Sequence, residues 1–429
     1  MKRRVFMKSG AMALVTMGLS PSFLKRSVFG LELSKGAAGA GNARGKVLIC
    51  LFQRGAADAL NVVVPFGEQA YYSMRPNIAI PRPVSGVPQS ALDLDGFFGL
   101  HPSMAPLKPL WENGILAPIH AVGSPSSTRS HFDAQDYMES ATPDNKGTRD
   151  GWLNRYLAAK GTCEECKIGG QSASSSAFRA VSMTSQTPRI LQGASPTVAM
   201  NSLEEFTIRT NGSQADRIEA LYRTGNADVV HAAGGEMFEA IKILKAANPQ
   251  RYQPQNNAEY PRSPFGTHLR QIAQLIKADV GLEVAFADVG GWDTHANQGA
   301  SNGQLAARLD DFSKSIAALV ADLGERMSDV VIMTMSEFGR TARQNGNGGT
   351  DHGHAGAMFL IGGSVHGKKV HGKWPGLAKE QLYEGRDLAL TTDFRSVFSE
   401  VAYKHLGAAK LEAVFPGFNG DQSKWLGVL

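Results

Sequence analysis

Residues 329–354 read DVVIMTMSEFGRTARQNGNGGTDHGH. The opening run, DVVIMTM (329–335), is apolar and rich in β-branched residues. It is too short for a typical helix and too unbroken for a strand with one wet face, so it predicts a strand buried on both sides. Strands of that kind belong to parallel sheets covered by helices on both faces. The chain then turns polar at once. Glu337 stands where the strand should end, Arg340 follows in a glycine-bearing loop, and Asp351, His352 and His354 crowd together beyond it.

The same kind of run recurs in both directions. KVLICLFQ (46–53), ILAPIHAVG (115–123), LEVAFADVG (282–290) and AMFLIGG (357–363) each predict a buried strand. Helical periodicity fills the intervals. In residues 304–327, Leu305, Leu309, Phe312, Ile316, Leu319 and Leu323 recur at spacings of four and three, which is one face of an amphipathic helix. Further helices are expected at 103–113, 130–140, 214–224, 234–247, 266–278 and 394–406. Strands alternating with helices argue for one large α/β domain over residues 46–429, with a central, mostly parallel sheet flanked by helices. Residues 160–265 are less regular and are expected to form an insertion or cap. The fifth run, 357–363, brings its polar approach to the others' exits only if it is antiparallel to them, as an edge strand can be.

The ends of the chain colour its composition. Arg3 and Arg4, followed by Val5, Phe6, Met7, Lys8 and a short apolar stretch, match a twin-arginine export signal. That stretch is too short for a membrane span. With a Gly/Ala-rich tether it makes residues 1–45 a leader, and the protein is expected to leave by the twin-arginine export machinery for the periplasm or the exterior. Residues 1–40 hold seven Lys/Arg and one Glu, so without them the net charge falls from +5 to −1. The basic pI therefore gives no reason to expect nucleic acid as a partner. Cys50 lies in an apolar run and reads as a buried thiol, whereas Cys163 and Cys166 suit a local disulfide in an oxidising compartment.

Ligands of open α/β sheets bind beyond the carboxyl ends of the strands. Arg54 and Asp58 follow the first strand, and Ser130, His131, Asp133 and Asp136 follow the second. Asp293 and His295 follow the third, and Glu337 and Arg340 the fourth. Asp293 with His295, and His352 with His354, are spaced by two, so in extended chain each pair faces one way. Carboxylates and imidazoles together suit Zn²⁺, Mn²⁺ or Fe. A divalent ion so held polarises a phosphoryl or sulfuryl oxygen and activates a water or hydroxyl. Blander roles are open to each residue: a turn carboxylate for Asp58, a packed or surface position for His131, a backbone partner for His101, an Asx-turn for Asp351. Ser130 with Asp133 fits a capping box, and a hydroxyl at a helix N-terminus can also face a phosphate.

The leader, together with LFQRGAADALNVVVP, GLHPSMAPLKPLW, RSHFDAQDYMES, GGWDTHANQ, SEFGRT…GTDHGH and TTDFR in this order, resembles the exported bacterial family called domain of unknown function 1501, related to the alkaline phosphatase and sulfatase superfamily. The resemblance implies an alkaline phosphatase-like three-layer fold and cleavage or transfer of phosphate or sulfate esters, small or glycan-linked. By position, Asp58 resembles a first-strand metal ligand and Ser130 the nucleophile. Asp293, His295 and His352 resemble the ligands of one metal, and Glu337 stands near the second. Arg54 or Arg340 would clamp the anion. Where the superfamily has an Asp-His pair this chain has Glu337-Phe338, and phenylalanine binds no metal. The expectation is an atypical, single-metal site for a divalent ion (Zn, Mn or Mg), the alternative being a non-catalytic binding or assembly protein that keeps the fold.

Overall fold

The computed structural model describes residues 45–161, 176, 178–203 and 251–429. The leader, Cys163, Cys166 and the helices expected at 214–224 and 234–247 lie outside the described residues. The strands are β1 (Val47–Gln53), β2 (Val63–Val64), β3 (Leu92–Asp93), β4 (Gly99–Leu100), β5 (Leu116–Gly123), β6 (Ala180–Ser182), β7 (Val198–Ala199), β8 (Val284–Val289), β9 (Val330–Met335), β10 (Gly356–Gly362) and β11 (Thr392–Asp393). Eight of them form the main sheet in the order β11-β5-β10-β9-β1-β8-β6-β7, and β2, β4 and β3 form a small second sheet. β1 pairs in parallel with both β8 and β9. β10 runs antiparallel to β9 and to β5. The reversed strand is therefore real, but it lies inside the sheet and not at its edge. Its backbone groups are paired on both sides, and its entry loop is carried to the rim where β1, β5, β8 and β9 end.

Each continuous run is continuous because both faces are covered. Val47, Ile49 and Leu51 pack into one core with Ile332 and Ala285, and the alternate residues Leu48, Cys50 and Phe52 into another with Met333 and Phe286. The principal helices are α1 (His131–Ser140), α2 (Trp152–Gly161), α3 (Pro264–Lys277), α4 (Gln304–Leu323) and α5 (Phe394–Glu400). α3 and α4 cover the first face, with all six periodic residues of α4 buried. α2 and α5 cover the second, where Trp152 stacks on Phe398 with ring centroids 4.9 Å apart. The result is three layers, helix on sheet on helix. α4 stops at Gly324, earlier than its pattern predicted, because that residue has φ +53 and breaks the helical path. Truncating a buried contact such as Leu309 to alanine costs about 2–5 kcal/mol at sites of this kind.

β6 and β7 fall within residues 160–265 and extend the main sheet beyond β8. Cys50 is a buried free thiol, and burial pushes its pKa up. Among the described residues, no helix is long and apolar enough to cross a membrane.

Candidate metal centre

At the rim where β1, β5, β8 and β9 end and β10 begins, three side chains offer ligand atoms within 4.8 Å of one another: His131, Asp293 and His352. His131 opens α1, whose N-cap is Ser130. Asp293 lies in the loop after β8, and His352 in the loop leading into β10. His295 flanks the group, its Nε2 3.0 Å from Asp293 Oδ1 and 3.0 Å from His352 Nε2.

The partners of the other ring nitrogens fix the chemistry of this face. Glu337 Oε1 accepts from the Gly55 N–H at 2.9 Å and from Gln135 Nε2 at 2.8 Å, so it is an acceptor, and His131 Nδ1, 2.8 Å away, must be the donor. His352 Nδ1 donates to the carbonyl oxygen of Arg129 at 2.8 Å. His295 Nδ1 lies 3.0 Å from Asp351 Oδ1, which also accepts from Asn345. In each neutral ring the proton is thus on Nδ1, and the bare Nε2 lone pair faces Asp293. His131 Nε2 is buried with no hydrogen-bond partner among the described residues, 3.5 Å from Asp293 Oδ2. His352 Nε2 is 3.4 Å from Asp293 Oδ1. Three bare nitrogens and the Asp293 carboxylate therefore face one another, a meeting that either a bound cation or a proton on one of the rings relieves. Two ligands each about 2.0–2.1 Å from one ion, at angles near 90–110°, are separated by roughly 2.9–3.4 Å, close to the 3.5 and 3.4 Å that separate Asp293 from His131 and His352.

Electrostatics hold the acidic members ionised. Burial pushes the Glu337 carboxyl up, but the hydrogen bonds from His131, Gln135 and Gly55 outweigh it and leave it below the usual range. Burial likewise opposes ionisation of Asp293, and the Arg340 guanidinium prevails, holding it low. Asn345 and His295 hold Asp351 low against its partial burial. For His352, burial favours the neutral ring over the pull of the Arg129 carbonyl. His131 is shifted the other way, its bond to Glu337 favouring a proton more than burial opposes it.

Backbone geometry lets these loops meet. Gly55 has φ +117, and a Cβ there would sit 2.7 Å from the Asp293 backbone nitrogen. Only glycine permits that approach together with that conformation.

Several expected roles change. Asp58 holds no place in the cluster: its side chain and that of Arg75 are both fully buried, paired at 2.6 Å, and Gln298 Nε2 donates to the same oxygen at 2.7 Å. Arg75 also donates to the carbonyls of Thr341 and Ala342, so this ion pair braces the loops that carry Asp293 and His352. Glu337 is consumed in orienting His131 and is not aimed at the ligand face. Arg340 is buried and donates to Asp293, to the carbonyls of Gly55, Ala56 and Trp292, and to that of Thr350. Arg54 is held by Asp288, Gln135 and Glu139. Arg340 is therefore not free to clamp an anion, whereas Arg54 is held through Nε and Nη1 and stays partly exposed. The hydroxyl of Ser130 accepts from the Asp133 N–H at 3.5 Å, the capping role, and no histidine or carboxylate among the described residues hydrogen-bonds it.

Phe338 is part of the wall. Its ring stacks on His131 at 4.9 Å and leans on His352 at 5.1 Å, fixing both imidazoles from the apolar side. His354 stacks on Tyr383 at 4.2 Å, away from the ligand face. Sequence reasoning gave His131 a bland role. The signal that could have found it is its place directly after the cap of a helix that follows a buried strand.

No curated protein sequence matches the chain. A solved structure from Pyrococcus horikoshii, described as the structure of PH0037 protein, is similar at 13% identity over 75% of this chain and 86% of its own, with a TM-score of 0.29. A family profile described as protein of unknown function (DUF1501) matches residues 45–413, from the entry to β1 to beyond α5, and with it every residue of the cluster. The chain belongs to that family.

Proposed function

We propose that the protein is an exported, metal-dependent hydrolase or transferase of phosphate or sulfate esters, working with one divalent ion at His131, Asp293 and His352, on a fold of the alkaline phosphatase and sulfatase kind. The observation that carries the metal is the convergence of bare imidazole nitrogens on Asp293, each ring held by a proton-accepting oxygen behind it. Imidazoles backed by carboxylate or carbonyl are the usual outer support of a metal ligand. An imidazole-rich set of this kind suits Zn²⁺ or Mn²⁺ better than Mg²⁺. When bound, such an ion polarises an ester oxygen and makes water a stronger nucleophile.

The rest falls to the chain. Arg340 fixes Asp293, and Phe338 keeps water from the inner side of His131 and His352. His295 is the group placed to take the proton of an attacking water, since Asp351 holds its Nδ1–H and its Nε2 opens on the cluster with 44% of the side chain exposed. The proton taken up there is available to the departing alkoxide. Water is thus the nucleophile in this reading, and Ser130 a helix cap.

The second reading, a binding protein without turnover, draws on the burial of Arg340 against Asp293, which removes one of the two arginines expected to hold the ester anion. Metal analysis of protein purified from the periplasm tests the first part: about one equivalent of Zn or Mn in the wild type, lost in His131→Ala and His352→Ala. Negligible metal in all three refutes it. A chromogenic ester panel separates the two readings, since turnover abolished by His295→Ala but retained in Ser130→Ala supports the hydrolase, and no turnover by metal-loaded wild type supports the binder.

A further inference from the structure

Glu337 was expected at a metal and stands one shell behind it. Its side chain is fully buried, and its Oε1 receives three hydrogen bonds, from the Gly55 N–H, Gln135 Nε2 and His131 Nδ1. Two of those donors can only donate, so the oxygen can only accept. His131 must place its proton on Nδ1, and the nitrogen left bare is the one buried without a partner beside Asp293. Gln135 is held in turn by Arg54, whose Nη1 donates to its Oε1 at 2.9 Å. The rim of β1, the first turn of α1 and the end of β9 thus meet on one oxygen atom.

We infer that Glu337 is the positioning residue of this centre: through its hydrogen bond it selects the Nδ1–H tautomer of His131 and so decides whether that imidazole can bind a first-row transition ion. The inference rests on the metal reading above. Glutamine has the same shape but neutral oxygen and an N–H end. If the amide turns its N–H toward His131, the ring proton moves to Nε2 and the ligand lone pair is lost. If it does not, the weaker acceptor leaves the ring less firmly set. Replacement of outer-shell partners of this kind lowers metal affinity by about 10–100-fold.

The test measures Zn²⁺ affinity by competition with a chromogenic chelator, the visible absorption of the Co²⁺-loaded protein, and the thermal midpoint of the metal-free protein, for wild type, Glu337→Gln and Glu337→Asp. Expected is a roughly tenfold or greater loss of Zn²⁺ affinity in Glu337→Gln, with an altered Co²⁺ spectrum and a metal-free midpoint close to wild type. Glu337→Asp keeps the charge but draws the acceptor back from His131, and is expected to lose affinity as well, so it serves if Glu337→Gln does not fold. A wild type that binds Zn²⁺ while the variants bind it equally well, with unchanged Co²⁺ spectra, overturns the inference and leaves the metal centre standing. A wild type that takes up neither Zn²⁺ nor Co²⁺ overturns the metal reading itself, and the inference with it.

Discussion

Asp58→Asn tests the brace beneath the loops. Asp58 and Arg75 are both fully buried and 2.6 Å apart. The amide can still accept from Gln298 or Arg75 through its one oxygen, but the charge opposite the guanidinium is gone. The amide's N–H₂ also turns toward the position of Asp58 Oδ1, which has no partner among the described residues. Arg75 keeps its bonds to Asn61 and to the carbonyls of Thr341 and Ala342, so the side chain stays in place as an uncompensated buried cation. Breaking a buried pair from one side costs about 3–5 kcal/mol, which for a chain of this size lowers the thermal midpoint by about 4–6 °C. Scanning calorimetry of Asp58→Asn, Arg75→Met and the Asp58→Leu/Arg75→Met double variant is the assay. The double variant is expected to be less destabilised than the sum of the two single losses, because no lone charge remains. Single variants within about 1 kcal/mol of wild type, or a double variant whose loss is simply additive, would refute the account of Asp58 as half of a buried ion pair.

Two other outcomes follow from the geometry. Gly55→Ala is expected to reduce Zn²⁺ affinity and stability together, since its Cβ would meet the Asp293 nitrogen at 2.7 Å in a conformation that L-residues rarely adopt; wild-type affinity in chelator competition would contradict it. His101, His120 and His405 are each pushed by burial down to about 4. His101 and His120 each accept a backbone N–H on Nδ1 and donate from Nε2 to a carbonyl, which only the neutral ring can do. The unfolded chain binds these protons first, so their contribution is fully present above about pH 6.5 and is lost as pH falls toward 4. That amounts to about 3 kcal/mol each at most, and urea midpoints that stay flat from pH 7 to 4.5 would contradict it.

The strands were legible because burial on both faces leaves an unbroken apolar run, and β1, β5, β8, β9 and β10 all lie within a residue or two of their expected ends. The short β6, β7 and β11 were not, since two or three residues carry no period. α2 escaped because its buried Trp152, Leu153, Tyr156 and Leu157 sit in a ten-residue helix beside irregular sequence. At the site, strand-exit reasoning collected loops that lie together, and Asp293, His295 and His352 do meet. It could not rank carboxylates within those loops. Asp58 and Glu337 differ from Asp293 only in which neighbours reach them, and Arg75, Gln298, Gln135 and the Gly55 N–H are distant or silent in sequence. His131 was hidden by the same limit, because its Nδ1 partner, which leaves Nε2 facing Asp293, lies more than two hundred positions away.

The position of β1 bears on how the chain is made. It is the first of the described strands to emerge from synthesis, yet Leu48 pairs with Val284 and Val47 with Val330. Through most of translation, then, a strand apolar in all but Gln53 waits with both edges open. Long-range parallel pairing of this kind is slow and exposes unpaired edges to other chains. Yield is therefore expected to be governed by what shields residues 47–53 before the β8 and β9 segments arrive, more than by the stability of the finished fold.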